Sequence, residues 1–282
     1  MTPETKGLLI TLAGVALMSA EAPLIRLANA PGVVVGVYFG LFVLLSTQLI
    51  LLSQGVKTWR QSLSAQPQGA LLAGLCMGVG NYCFVMAVSL TGIANTVLIL
   101  ASAPVVSALI ALVILKEPTP LRIYIATFFV FIGLYIILSD DLGTGDFHGN
   151  LYAMGAVVCM SFLFVTLSRY KKASRVAFVS FGGFFMALFC GLSFSFEISL
   201  QGLFFVALMG LFVTPFSRIL IGTGTQYLIP AHMGLLIIVE SVLAPFWGWW
   251  WLDEVPTQAT LLGGAIILGA ITLNSLATLK RH

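Results

Sequence analysis

Two glutamates, Glu21 and Glu240, stand inside long apolar runs where a charge is expensive. Glu240 interrupts LLIIVESVL with about ten uncharged residues on either side, and Glu21 lies in MSAEAPLIRLA, two residues before Pro23. At the centre of a membrane helix a charge costs at least ~2.5–3.5 kcal/mol, so such residues face a wet cavity or a partner. Two carboxylates on one cavity can bind a proton or hold the ammonium group of a solute. Pro23 and Pro245 each remove a backbone donor and can open the helix beside a carboxylate. The plainer reading pairs the glutamates with Arg26 or Arg218, or keeps them protonated, because a neutral acid is cheaper to bury. Both readings stand at this point.

Other polar residues in the apolar runs divide by depth. Asn81 and Tyr82 fall midway along the third run, where they can orient a zwitterion or simply bond neighbouring helices. Arg26 and Arg218 lie near the ends of the first and eighth runs, placed for gating or for snorkelling to the interface. Asn95 and His232 begin their helices, which suits capping or gating, with His232 a candidate proton relay. Trp247 follows Glu240 by seven residues, with Ala244 between, so both share one helical face. Trp249, Trp250 and Trp251 read as an interfacial belt, and Asp253 and Glu254 beyond them as solvated carboxylates.

No catalytic constellation accompanies these residues. The chain has no GxxxxGK[ST] for ATP, and Gly222-Thr-Gly-Thr lacks the strand context of a dinucleotide loop. His148, His232 and His282 are scattered, and Cys76, Cys83, Cys159 and Cys190 form no paired pattern, so neither metal nor disulfide is expected. The expectation is a non-enzyme without a cofactor. Phosphorylated solutes are disfavoured, since no paired cationic clamp lies at depth.

The elements that must carry these residues follow from hydropathy. The 282 residues are 59% hydrophobic and 8% charged, against about 25% charged for a soluble domain. Residues 61–115 contain no Asp, Glu, Lys or Arg. Crossing hydrocarbon takes about 20 apolar residues as a helix, and the runs lack the alternation of a barrel strand. The sequence therefore predicts an all-α integral membrane protein with ten transmembrane helices. They fall near residues 7–28, 33–53, 68–89, 93–115, 120–138, 149–168, 176–196, 200–221, 231–251 and 257–278. The first is read as a retained helix, not a signal peptide. With a cytoplasmic N-terminus, eleven of the thirteen Lys and Arg fall on the inner side, which places both termini in the cytoplasm. The net charge of +3 then reflects inner-loop cations near anionic lipid, and no nucleic-acid partner is needed.

Displaced by 137 residues without gaps, LKEPTP (115–120) meets LDEVPT (252–257), and Glu117 meets Glu254. One glutamate falls inside and the other outside, so the halves, residues 1–140 and 141–282, read as inverted five-helix repeats. Such repeats characterise secondary transporters, with the solute bound between them near the midplane. Gly32, Gly36 and Gly40, and Gly74 and Gly78, form ladders that let helices approach closely, within a monomer or a homodimer.

Several of these stretches resemble the EamA family of the drug/metabolite transporter superfamily. They are SAEAPLIRLA, GNYCFVMAVSLTGIANTVLILASAPVVSALI, the Glu-led turns after the fourth and ninth runs, and the glycine-containing helices after each. Departures are Glu240-Ser241 in place of Glu-Pro, and Leu17-Met18 where a tryptophan is common. The resemblance implies a multi-pass secondary transporter of amino acids or related zwitterionic or amphipathic solutes in a bacterial inner or plasma membrane. Export by alternating access is favoured, with Glu240 and Glu21 exchanging a proton against the solute's ammonium. Asn81, Tyr82 and Trp247 would help bind the solute, and Arg26, Arg218 and His232 would serve coupling or gating. Two alternatives are uptake of an organic cation and a scaffold or lipid-handling protein without a solute pathway.

Overall fold

A backbone surrounded by lipid must satisfy its hydrogen bonds within the segment, which long apolar runs do as helices. The computed structural model describes residues 3–64, 66–114, 121–140, 147–170, 174–192, 196–224 and 230–279, and its regular structure is helical throughout. The first apolar run holds α1 (Pro3–Met18) and α2 (Glu21–Leu27), followed by α3 (Gly32–Ser53), α4 (Val56–Ser64) and α5 (Pro67–Leu90). Next come α6 (Ile93–Leu100), α7 (Ala103–Ile114), α8 (Leu121–Asp140), α9 (Phe147–Arg169) and α10 (Arg175–Gly191). The last helices are α11 (Leu200–Leu208), α12 (Thr214–Gly224), α13 (Pro230–Leu252) and α14 (Gln258–Leu279), with a π-helical turn over Met209–Val213 joining α11 to α12. Six stretches among the described residues are long and apolar enough to cross a membrane, accompanied by shorter apolar helices over Ile123–Ser139, Val176–Gly191 and Gln258–Asn274.

Prolines account for the interruptions. Pro23 has no N–H for the carbonyl of Ser19, four residues back. There α1 closes with a tightened bond from Ala20 N–H to Leu17 O (3.2 Å), and α2 restarts with Leu24 N–H on Ala20 O (3.1 Å). Pro104 acts likewise in the fourth run, where the chain turns at Ala101–Ser102 between α6 and α7. Pro215 frees the carbonyl of Leu211 inside the π turn, and Ser46 Oγ of α3 donates to that oxygen at 3.0 Å. Pro245 is accommodated without a break in α13. Two other departures from the sequence reading concern length. The seventh run ends as a helix at Gly191, short of residue 196, and the polar VKTWRQSLS between the second and third runs forms α4. The boundary expected at residues 140/141 and the matched Glu117 fall at or beyond the edge of the described residues.

The closest helix pairs are α5 with α9, α10 with α3 and α5, α8 with α14, and α1 with α12; α6 lies against α13. Glycine permits two crossings at backbone contact. A Cβ on Gly40 would lie 2.6 Å from Gly183 O, and one on Gly183 would lie 2.7 Å from Gly40 O. Gly133 and Gly263 behave the same way, each Cβ 2.6 Å from the other's carbonyl oxygen. Both crossings are thus self-complementary. The glycine ladders are taken up inside the chain: Gly36 faces Cys190, Gly74 faces Phe181 and Gly78 faces Phe185, all on α10. The cysteines Cys76, Cys83, Cys159 and Cys190 are free thiols. One buried cluster joins α2, α3, α5, α10 and the π turn, and a second joins α6, α7, α8, α9 and α14.

Candidate functional site

The break in the first run places Glu21 on the opening turn of α2, where its side chain is 6% exposed. Thr214, the first residue of α12 after the π turn, donates its hydroxyl to Glu21 Oε1 at 2.8 Å. One helical turn on, Arg218 projects from α12 on the same side. Its charge acts on Glu21 and on Glu240 of α13, and the two carboxylates act on each other. Among the described residues no ion pair within 4.0 Å joins Arg218 to either glutamate. Arg218 Nε is buried and has no hydrogen-bond acceptor there. Just beside this cluster Val15, Leu12, Ile221 and Val239 close the junction of α1, α12 and α13 with apolar side chains.

The structure therefore brings together Glu21, Glu240 and Arg218. Thr214 is a member the sequence did not reveal; its only signal was a hydroxyl directly before Pro215 in an apolar run. Ser19 is another. It is 1% exposed, and its Oγ accepts the indole N–H of Trp247 at 3.0 Å. Trp247, on the helical face it shares with Glu240, turns its polar edge to the end of α1. Its ring stacks on Trp251 at 4.9 Å between centroids, while Trp249, Trp250 and Trp251 are exposed as a lipid-facing belt requires.

Asn81 and Tyr82 stand elsewhere. Tyr82 meets Tyr152 of α9 edge-on at 5.9 Å, and among the described residues no recorded contact joins Asn81 or Tyr82 to the glutamates. His232 falls in the first turn of α13, and its side-chain surroundings lie outside the described residues. Asn95 lies in the first turn of α6: its amide donates to Thr91 Oγ1 at 3.4 Å, and its oxygen accepts from Thr260.

A second polar group forms where α2 and α13 end. Arg26 is held by partners beyond the far end of α13 and before α6. Its Nη2 donates to Thr91 O, and its Nε lies 3.9 Å from Glu254 Oε2. Glu254 is not a freely solvated carboxylate, since its Oε1 accepts the backbone N–H of Ile93 at the start of α6. Asp253, in the left-handed region at φ 53°, reverses the chain after α13, and Glu254 N–H bonds back to Gly248 O at 3.2 Å. Asp tolerates that conformation better than most residues. Gly92 leaves the space Glu254 occupies, since a Cβ there would lie 2.6 Å from Oε1. The group borders a cleft of about 480 Å³ lined by Arg26, Thr91, Asn95, Glu254, Thr257 and Thr260.

Apolar helices around a group of two carboxylates and a guanidinium, Glu21 buried and the other two partly so, define a multi-pass membrane protein. Residues 5–139 match the model of the EamA-like transporter family. The Uncharacterized transporter YdfC of Bacillus subtilis (strain 168) is 26% identical over 196 residues, which is 66% of this chain. The match spans 63% of that relative's length, under two thirds. A solved crystal structure superposes with a TM-score of 0.64 at 18% identity, over 96% of this chain and 98% of its own. At that identity the likeness speaks for the fold alone.

Proposed function

We propose that this protein is a secondary transporter that moves a small zwitterionic metabolite across the membrane, in the export direction, by alternating access. The observation that carries the reading is the grouping of Glu21, Glu240 and Arg218 at a broken helix. Two carboxylates and one guanidinium complement a solute that bears both an ammonium and a carboxylate. The buried Arg218 Nε–H is a donor for the carboxylate, and Glu240 takes the ammonium. A proton on Glu240 leaves when the ammonium arrives, which couples the two fluxes. Thr214 holds Glu21 in place, so its charge is set before the solute enters. Arg218 beside both glutamates weighs against a permanently cationic solute, which would meet a like charge.

The frame for this reading is ten transmembrane helices in two inverted repeats, residues 1–140 and 141–282, with both termini cytoplasmic and the protein in a bacterial inner or plasma membrane. The reciprocal crossings at Gly40/Gly183 and Gly133/Gly263 support it, because a two-fold relation between halves makes such contacts self-complementary. A thermal-shift screen of amino acids, quaternary amines and nucleosides on purified protein identifies the solute class. Proteoliposomes carrying a pH-sensitive dye then report proton movement with the best stabiliser. Solute flux without proton movement, unaltered in Glu240→Gln, would end the coupled reading, and stabilisation by quaternary amines alone would end the zwitterionic one.

A further inference from the structure

We propose that Glu254 is the latch of the outer gate: it holds the mouth shut by gripping Arg26 and the first turn of α6 together. The inference rests on the transport reading above, with the Arg26 end of α2 facing outward. Glu254 belongs to the connection after α13, whereas Arg26 and Ile93 belong to α2 and α6, far earlier in the chain. One carboxylate therefore ties the two halves at a single point. Oε1 takes the Ile93 N–H, which has no partner inside its own helix, and Oε2 faces Arg26. Arg26 in turn donates to Thr91 O, the last link before α6. Thr260 and Asn95 add a second tie between the same two parts.

Several features mark this as a contact built to open. The Arg26–Glu254 pair is long, at 3.9 Å, and both side chains are partly exposed, at 34% and 23%. A long, partly exposed pair contributes little to stability, and the Arg26 Nε in it is itself buried without a hydrogen-bond acceptor among the described residues, so parting the pair costs little. The cleft of about 480 Å³ already brings solvent to its edge. Ser19 lies seven residues inward of Arg26, about 10 Å deeper along the helix axis, in the path an opened mouth would expose. Gly92 is a requirement of the closed state, because any side chain there displaces Oε1.

The test needs no solute. Ser19→Cys is introduced, the protein is reconstituted, and a membrane-impermeant maleimide is added from outside, with labelling read peptide by peptide so that the native cysteines are scored separately. Hydrogen exchange across residues 91–96 is measured in parallel. Glu254→Ala should raise both labelling at position 19 and exchange at 91–96 by tenfold or more. Glu254→Gln, which keeps an acceptor for Ile93 and loses the charge, should give a smaller rise in labelling, and Val255→Ala none. Faster exchange with unchanged labelling would reduce Glu254 to a cap for α6 and overturn the latch. Unchanged exchange and labelling would overturn it as well. Either failure leaves the transport reading intact, because neither readout involves a solute or its flux.

Discussion

The α1/α2–α12 and α5–α9 interfaces are both close helix pairs, and they are furnished oppositely. The first carries Glu21, Thr214 and Arg218, and its glycine sits against backbone: a Cβ on Gly14 would lie 2.9 Å from Ile221 Cγ1 and 3.0 Å from Ile221 N. The second carries Tyr82 against Tyr152, and at that level its glycines face side chains, although at its end a Cβ on Gly149 would lie 2.7 Å from Thr91 N. Gly80 would meet Cys159 Cβ at 3.2 Å, and Gly155 would meet Cys83 Sγ at 3.3 Å. Charge is thus placed where the helices are fixed by rigid contact, and slack is left where no charge must be aimed. A binding group works only if its own surroundings hold it. The contrast teaches that the carboxylates are pre-set, and that adjustment belongs to the tyrosine–cysteine side.

The most damaging way to probe this contrast is to remove charge on the tight side. Glu240→Gln should slow solute exchange in proteoliposomes by about a hundredfold, ~2.7 kcal/mol of barrier, whereas Tyr82→Phe should leave it within about threefold. Equal losses would dissolve the distinction. Packing comes next. Gly14→Ala should destabilise the purified protein by about 1–3 kcal/mol through overpacking, and Gly155→Ala by about 0.5 kcal/mol or less, since the Cys83 thiol it faces can rotate away. Denaturant titration of the two variants in detergent compares them directly. Thr214→Val removes a hydrogen bond to a carboxylate worth about 1.5 kcal/mol. Solute affinity should fall about tenfold, with Thr214→Ser restoring most of it in the same binding assay. Trp247→Phe, which deletes the bond to Ser19, should cost about 1 kcal/mol. If that tie is what the indole supplies, Trp247→Phe combined with Ser19→Ala should unfold at nearly the same denaturant concentration as either single variant.

How much of this was legible beforehand depended on whether the information was local. Buried charge is local, so Glu21 and Glu240 stood out at once, as did the apolar runs that became α3, α5 and α9. The partner of Glu21 was not legible, because Thr214 lies 193 residues away and one sequence carries no pairing information. For Arg218, pairing with a glutamate, gating and snorkelling all stood open from its place near the end of a run; the packing of α12 on α1 sets it beside the glutamates. Glu254 was misjudged for a backbone reason. Its position after a tryptophan belt suggested solvent, and the reversal at Asp253 that brings it back has no glycine to announce it. The internal likeness was faint because no single offset serves. The gapless match uses 137 residues, whereas Gly40 to Gly183 spans 143 and Gly133 to Gly263 spans 130. The short helix α4 was passed over as a connection, since nine polar-rich residues cannot cross a membrane.

The π turn over Met209–Val213 has a consequence for chain length itself. A π turn holds one residue more than the α-helix would need, and each residue advances the helical face by about 100°. The widened turn absorbs that surplus residue, so Thr214 and Arg218 keep nearly the face that a regular helix one residue shorter would give them. Removing Phe212 should therefore let the helix close regularly with Arg218 still turned toward Glu21, whereas forcing the five residues into a regular α-helix without removing one would swing Thr214 and Arg218 away by about 100°. In this helix the widened turn, more than the identity of its residues, decides which way the arginine points.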